Sequence, residues 1–203
     1  MSSEVGSAVG DDVTKELLIA RGWLQGVEHK PSANADQRPA GEQPSLLVIH
    51  NISLPPGCFG GGEIADFFTN CLDFEAHPFF LEIEGLRVSA HLLIDRAGDV
   101  TQFVSFLDRA WHAGVSSFEG RERCNDFSIG IELEGTDTLP YSDIQYRVLA
   151  RVTRALMRAY PAIVPARICG HSDIAPGRKT DPGEVFDWGY YRALLSQDSR
   201  RVG

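Results

Sequence analysis

The segment Gly170–Gly183 concentrates groups that do chemistry. His171, Asp173, Lys179 and Asp181 accompany two Pro-Gly turns, Pro176-Gly177 and Pro182-Gly183. Proline lacks the N–H that a helix needs, so these turns interrupt any helix and imply an ordered loop of fixed shape. A rigid loop bearing His, Lys and Asp suits a metal or catalytic site. A second histidine, His50, ends the apolar run Leu46-Leu47-Val48-Ile49 and enters the turn-rich stretch Asn51–Gly57. The run reads as a buried strand, and open α/β sheets place functional groups at the ends of core strands. His50, His171 and Asp181 together offer two neutral nitrogens and one carboxylate. Three protein ligands and an open fourth position make the usual catalytic zinc arrangement. A plainer reading stands beside it. A histidine at a strand end is commonly a hydrogen-bonded structural residue, and an aspartate before proline is commonly a turn former. No compact ligand pair such as HExxH is present, so spacing alone leaves the two readings level.

The elements that must hold these groups alternate along the chain. Leu46–His50 is a core strand. Phe127–Leu133 is another, with Ile131 and Leu133 on one face and Glu132 and Glu134 on the other; taken alone, both glutamates would face solvent. Arg167–Gly170 is a short strand feeding the loop. Val88–Asp95 and Val100–Val104 form a hairpin around the turn Arg96–Asp99. Gly61–Leu72 carries Ile64, Phe67, Phe68, Cys71 and Leu72 at helical spacing. Ser142 with Gln145 fits a capping box and opens a helix whose apolar stripe runs through Ile144, Val148, Val152, Leu156 and Ala159 until Pro161. Trp188–Leu195 is a final helix. Residues 28–44 read as a surface excursion with turns and no core, with His29 exposed. The expectation is one α/β domain over 17–196, a mixed central sheet flanked by helices, with flexible tails at 1–16 and 197–203.

Composition narrows the partners. At 203 residues, with 43% hydrophobic and 23% charged residues, one soluble globular domain is the default. The net charge of −9 comes with no long basic block. Nucleic acid and anionic membrane surfaces both need clustered Lys and Arg, so neither is an expected partner. No apolar stretch approaches the length that spans a bilayer. Met1–Asp12 lacks the basic and apolar regions of a secretory signal, so the expected location is the cytoplasm. Cys58, Cys71, Cys124 and Cys169 form no CxxC pair, and free thiols are expected in a reducing compartment.

Five strings in order, LLVIHNISLPPGCFGG, VSAHLLIDRAGDVTQFV, RAWHAG, GRERCNDFSIGIELEGTD and CGHSDIAPGRKTDPG, resemble the AmpD-type anhydro-N-acetylmuramyl-L-alanine amidases. Those are cytoplasmic zinc enzymes of bacterial peptidoglycan recycling. More distantly the chain is similar to phage lysozyme-amidases and peptidoglycan recognition proteins. The resemblance covers about Gly22 to Leu195. It implies one zinc per chain on His50, His171 and Asp181. It places the acidic catalytic residue at Glu132, where a carboxylate can take a proton from water, and an oxyanion-stabilising lysine at Lys179. It puts muropeptide contacts at Asn51, Arg87 and Arg123, and more weakly at Ala110 and Leu133. Arginine suits the carboxylates of a peptide stem because it binds them through two parallel hydrogen bonds. Trp111 is either an apolar wall for a sugar or a core residue. His91 and His112 fall in family motifs without being ligands there, and structural or outer-sphere hydrogen bonds are expected of them. Ala90 stands where phage-type relatives often carry tyrosine, which gives Glu132 more of the proton transfer. The expected partner is a small muropeptide, and the expected state is a monomer. Two other readings remain: a non-catalytic binding module of the same fold, which should have lost a ligand that this chain retains, and a regulatory partner protein, for which no docking stripe is visible.

Overall fold

Ser128–Glu134 is buried at every position, and it runs through the middle of a six-stranded sheet. In a computed structural model that describes residues 16–197, the strands of this sheet are β1 (Glu28–His29), β2 (Leu46–Ile52), β3 (Leu92–Ile94), β4 (Val100–Gln102), β5 (Ser128–Glu134) and β6 (Ile168–Gly170), in the spatial order β6-β2-β5-β3-β4-β1. Strands β6, β2, β5 and β3 are parallel, and β4 returns antiparallel to β3. Parallel strands end at one edge, so the C-terminal ends of β2, β5 and β6 meet there. The helices are α1 (Glu63–Phe68), α2 (Pro78–Glu82), α3 (Asp143–Ala159), α4 (His171–Ile174) and α5 (Trp188–Ser196).

The apolar pattern explains the layers. Leu47 and Ile49 of β2, Ile129, Ile131 and Leu133 of β5, and Leu92 and Ile94 of β3 pack against Val148, Leu149, Val152 and Leu156 of α3 and Tyr191 and Leu194 of α5. The opposite face is covered in two patches. Leu46 and Val48 meet Phe127, Cys169 and Ile174, and Leu93 meets α1 and Phe80 of α2. A parallel sheet covered on both faces gives the near-continuous apolar runs seen in β2 and β5. Helix α3 opens on the expected capping box: Ser142 Oγ accepts from Gln145 N at 3.3 Å, and Gln145 Oε1 accepts from Ser142 N at 3.1 Å. Gln145 Nε2 also donates to Glu134 O at 2.9 Å and Ile94 O at 3.3 Å, which ties the helix to the site edge of the sheet.

Several expectations need correcting. Helix α1 stops at Phe68 rather than Leu72, because Asn70 adopts a left-handed φ of 62° and turns the chain. Pro78–Glu82 adds a short helix, which His77 caps by accepting from Phe79 N at 3.1 Å. Val88–Asp95 is a ladder only at Leu92–Ile94. Residues 28–44 are not a coreless excursion. Ala35–Gln37 pairs antiparallel with Asp108–Ala110, and Asn34 and Arg38 are buried. Arg38 donates to the carbonyls of Phe106, Asn125, Asp126 and Ser128. A reading that counts apolar residues misses a segment whose task is to satisfy buried carbonyls. All four cysteines are free, Cys58 and Cys71 exposed, Cys124 and Cys169 buried. Of the expected tails, residues 1–15 and 198–203 lie outside the described residues. No helix among the described residues is long and apolar enough to cross a membrane.

Candidate metal centre

The register of β2 on β5 sets the site. His50 pairs with Glu132 across the parallel ladder, so both side chains project from the same face. His171 follows β6 directly as the first residue of α4. The chain then loops back: Gly170 N donates to Asp173 Oδ2 at 2.8 Å, and Ser172 N donates to Asp181 O at 3.0 Å. That second bond brings Asp181 against His171. Tyr141 Oη fastens the end of the loop by donating to Pro182 O at 2.7 Å. Gly183 completes the closure with φ 83°, and a Cβ there would lie 2.3 Å from Asp137 Cα, so no other residue fits.

The result is a triangle of donor atoms. His50 Nδ1 lies 3.0 Å from His171 Nδ1 and 3.0 Å from Asp181 Oδ2, and His171 Nδ1 lies 3.1 Å from Asp181 Oδ2. The two histidines are buried and Asp181 is nearly so. The remaining nitrogens are committed. His171 Nε2 donates to Ala113 O at 3.1 Å. His50 Nε2 lies 2.9 Å from His112 Nδ1, and His112 Nε2 lies 3.0 Å from Ser128 Oγ. Burial pushes the His50 imidazole down to about 4, against the opposing pull of Asp181. Burial also raises the Asp181 carboxyl, but hydrogen bonding to His171 and His50 outweighs it and holds the group below the usual carboxylate range.

This set fits a zinc ion. With Nε2 of His171 donating to a carbonyl, a ring that carries its one N–H there turns a bare Nδ1 towards Asp181 Oδ2. Two acceptors at that distance repel unless a cation lies between them. Ligand atoms of tetrahedral zinc with bonds of about 2.0–2.1 Å stand about 3.3 Å apart, close to the triangle's edges. Glu132 supplies a further sign. It is buried, and its Oε2 has no hydrogen-bond partner. Burial raises its carboxyl well above the ordinary value, the charge of Asp181 adds to this, and Lys179 opposes it. A buried, unpaired carboxylate oxygen beside a donor triangle is expensive to keep, and such cost is characteristic of functional sites.

The other expected residues scatter more widely. Lys179 is exposed, with its backbone N–H on Ala175 O at 3.0 Å, and its charge is felt at both His50 and Glu132. Asn51 Nδ2 donates to Asp137 Oδ1 at 2.8 Å, so it braces the segment on which Gly183 packs. Arg123 is exposed, with a left-handed φ of 61° and an ion pair to Asp126 at 3.3 Å. It lines a cavity of about 590 Å³ with Gly114, Val115, Ser116, Glu122 and Arg178. Arg87 is exposed. Leu133 and Ala110 have no exposed side chain. Leu133 alternates away from Glu132 into the helix-facing core, and Ala110 is enclosed in the aromatic patch around α1, both fully buried. Trp111 is partly exposed, with Nε1 donating to Asp36 Oδ1 at 3.3 Å.

Two residues carry more than the sequence indicated. Glu134 is buried rather than solvent-facing: its Oε1 accepts from Gly60 N at 2.6 Å and its Oε2 from Arg96 N at 3.1 Å, which pins the loop after β2. Arg178, given no role from sequence, donates through Nη2 to Ala113 O at 2.6 Å and Val115 O at 2.7 Å. It locks the loop 171–183 to the carbonyl that orients His171. Nothing in its neighbourhood in sequence signals this beyond adjacency to Lys179.

Comparison with known proteins gives consistent results. Residues 40–184 match the family model described as N-acetylmuramoyl-L-alanine amidase. The chain is 60% identical over 183 residues to the 1,6-anhydro-N-acetylmuramyl-L-alanine amidase AmpD of Escherichia coli (strain K12), covering 90% of this chain and 100% of that one. Among solved structures, a selenomethionine AmpD derivative superposes with a TM-score of 0.86 at 60% identity, covering 88% of this chain and 99% of that one. The amidase AmiD from E. coli, in complex with the substrate anhydro-N-acetylmuramic acid-L-Ala-D-γ-Glu-L-Lys, superposes with a TM-score of 0.54 at 26% identity, covering 88% of this chain and 65% of that one.

Proposed function

The chain belongs to the N-acetylmuramoyl-L-alanine amidase family, and on that premise we propose that it works as a zinc hydrolase centred on His50, His171 and Asp181, with Glu132 as the proton carrier. It cleaves the amide between N-acetylmuramic acid, in the 1,6-anhydro form, and L-alanine of muropeptides in peptidoglycan recycling. The observation that carries the mechanistic reading is the buried Glu132, whose unpartnered Oε2 shares one sheet face with His50.

One zinc per chain, when bound, would supply Lewis acidity towards the scissile carbonyl and acidify a coordinated water. The protein's own groups do the rest. Glu132 Oε2 has no internal hydrogen bond to break, so it is free to accept the proton of the attacking water and deliver it to the leaving amine nitrogen. Its raised basicity suits that exchange. Lys179 sits at the rim with its ammonium unpaired among the described residues, and donates to the oxygen that gains negative charge as the carbonyl becomes tetrahedral. Arg123 and Arg87 hold the carboxylates of the peptide stem, Arg123 from the cavity beside the metal loop. Asn51 orients the loop edge next to the substrate, and the Ala110 and Leu133 positions contribute only through their backbone. The amidase unit is 17–196, acting as a monomer in the cytoplasm on small fragments, with no nucleic-acid or membrane partner.

The test compares kcat/KM on a soluble anhydro-muramyl tripeptide with release of peptide from insoluble sacculi. The soluble fragment should be strongly preferred. Equal or faster release from sacculi would make this a wall-lytic amidase instead.

A further inference from the structure

His112 takes no part in the chemistry above, yet it is wedged behind the triad. Its ring stands over Gly130 of β5, where a Cβ would lie 2.5 Å from His112 Cγ and Nδ1. Its backbone N–H donates to Asn125 Oδ1 at 3.2 Å. Nδ1 lies 2.9 Å from His50 Nε2, and Nε2 lies 3.0 Å from Ser128 Oγ. Ser128 is itself fixed, with its carbonyl accepting from Arg38 Nη2 at 2.8 Å. We propose that His112 is a positioning residue of the metal centre: it selects the tautomer of His50, and metal binding reverses the direction of the hydrogen bonds along Ser128, His112 and His50.

A neutral imidazole carries one N–H. For His50 Nδ1 to face a cation bare, its proton must sit on Nε2, and the acceptor there is His112 Nδ1. That nitrogen is then bare, so the His112 proton sits on Nε2 and is donated to Ser128 Oγ. Without a cation the opposite arrangement gives each nitrogen of His112 and His50 a partner. Ser128 Oγ donates to His112 Nε2, His112 Nδ1 donates to His50 Nε2, and His50 Nδ1 donates to Asp181 Oδ2 at 3.0 Å. Each ring carries one proton in both arrangements, so neither gains nor loses one overall; each proton changes nitrogen by exchange with solvent. A hydroxyl at position 128 is what this requires, because it both donates and accepts, whereas a carbonyl would permit only one direction. Gly130 is required because any side chain would displace the ring.

The inference rests on His50 being a ligand, and the experiment separates the two. Long-range ¹H–¹⁵N correlation spectra of the full chain, recorded zinc-loaded and after chelation, report which nitrogen of each ring is protonated. His50 and His112 should both carry Nδ1–H without zinc and Nε2–H with it. His112→Asn keeps an acceptor near the Nδ1 position, whereas His112→Phe keeps the ring's bulk without one. In chelator competition His112→Phe should bind zinc about 10–100-fold more weakly, the range typical of lost outer-sphere partners, while His112→Asn should recover most of the loss. Ring protons that stay on the same nitrogens when zinc is added, or equal weakening by both substitutions, would overturn the proposal. Stoichiometric zinc in His50→Ala would instead overturn the ligand assignment. If His112→Phe does not fold, the wild-type spectra alone decide.

Discussion

Glu132→Gln should remove activity and, in the metal-free protein, remove a pH-dependent penalty on folding. The side chain is buried with one oxygen unpartnered, and its carboxyl is raised well above the ordinary value of 4.5, first by burial and then by Asp181. The sign follows from proton uptake. Above pH 4.5 the unfolded chain releases this proton while the folded chain keeps it, so folding must take one up and stability falls as pH rises, until the folded group also ionises. Within that window the loss is about 1.4 kcal/mol per pH unit. Glutamine keeps the shape and cannot titrate. The stability of chelator-treated Glu132→Gln relative to wild type should therefore rise between pH 5 and pH 7, by at most about 2.7 kcal/mol, measured by urea denaturation at each pH. In parallel, kcat of the zinc-loaded variant should drop about 10²–10⁴-fold, the usual contribution of a general acid–base group, with zinc retained. A stability difference independent of pH, together with near-normal turnover, would return Glu132 to a structural role.

Three further outcomes follow from the same geometry. Lys179→Ala should lower kcat by about 10²–10³-fold, the usual loss for one oxyanion donor, with zinc stoichiometry unchanged by metal analysis; loss of zinc instead would make Lys179 a structural charge. Arg123→Ala and Arg87→Ala should each raise KM more than they lower kcat, because they are assigned to uniform binding of the peptide stem; steady-state kinetics showing the reverse split would remove them from substrate binding. Gly183→Ala should destabilise by about 1–3 kcal/mol or more and weaken zinc binding, since its Cβ would collide with the backbone of Asp137; unchanged denaturation and chelator competition would contradict the role given to the loop closure.

The sequence was legible where one residue type has one physical use. Alternation in Ile129–Leu133 showed which face of β5 is core and which carries Glu132. The pairing of Ser142 with Gln145 located the start of α3, because a capping box depends only on residues three apart. His50 was visible as a functional candidate because it ends an apolar run, and His171 because it shares a loop with Lys179, Asp181 and two Pro-Gly turns. Their meeting was not legible from spacing, since it depends on the parallel neighbours β2 and β6 and on the Ser172–Asp181 bond that folds the loop back. The misses share a cause. Arg38, Glu134 and Arg178 are charged residues whose task is to satisfy backbone groups distant in sequence, and a charge looks the same in sequence whether it is solvated or clamped.

The proposed chemistry depends on whether His50, His171 and Asp181 share one zinc. The direct measurement is a metal-loaded crystal structure with anomalous scattering at the zinc edge, accompanied by metal analysis of His171→Ala. One anomalous peak per chain is expected within about 2.0–2.2 Å of His50 Nδ1, His171 Nδ1 and an Asp181 oxygen, with the peak lost in the variant. A peak coordinated elsewhere, or His171→Ala that keeps both zinc and turnover, would contradict it.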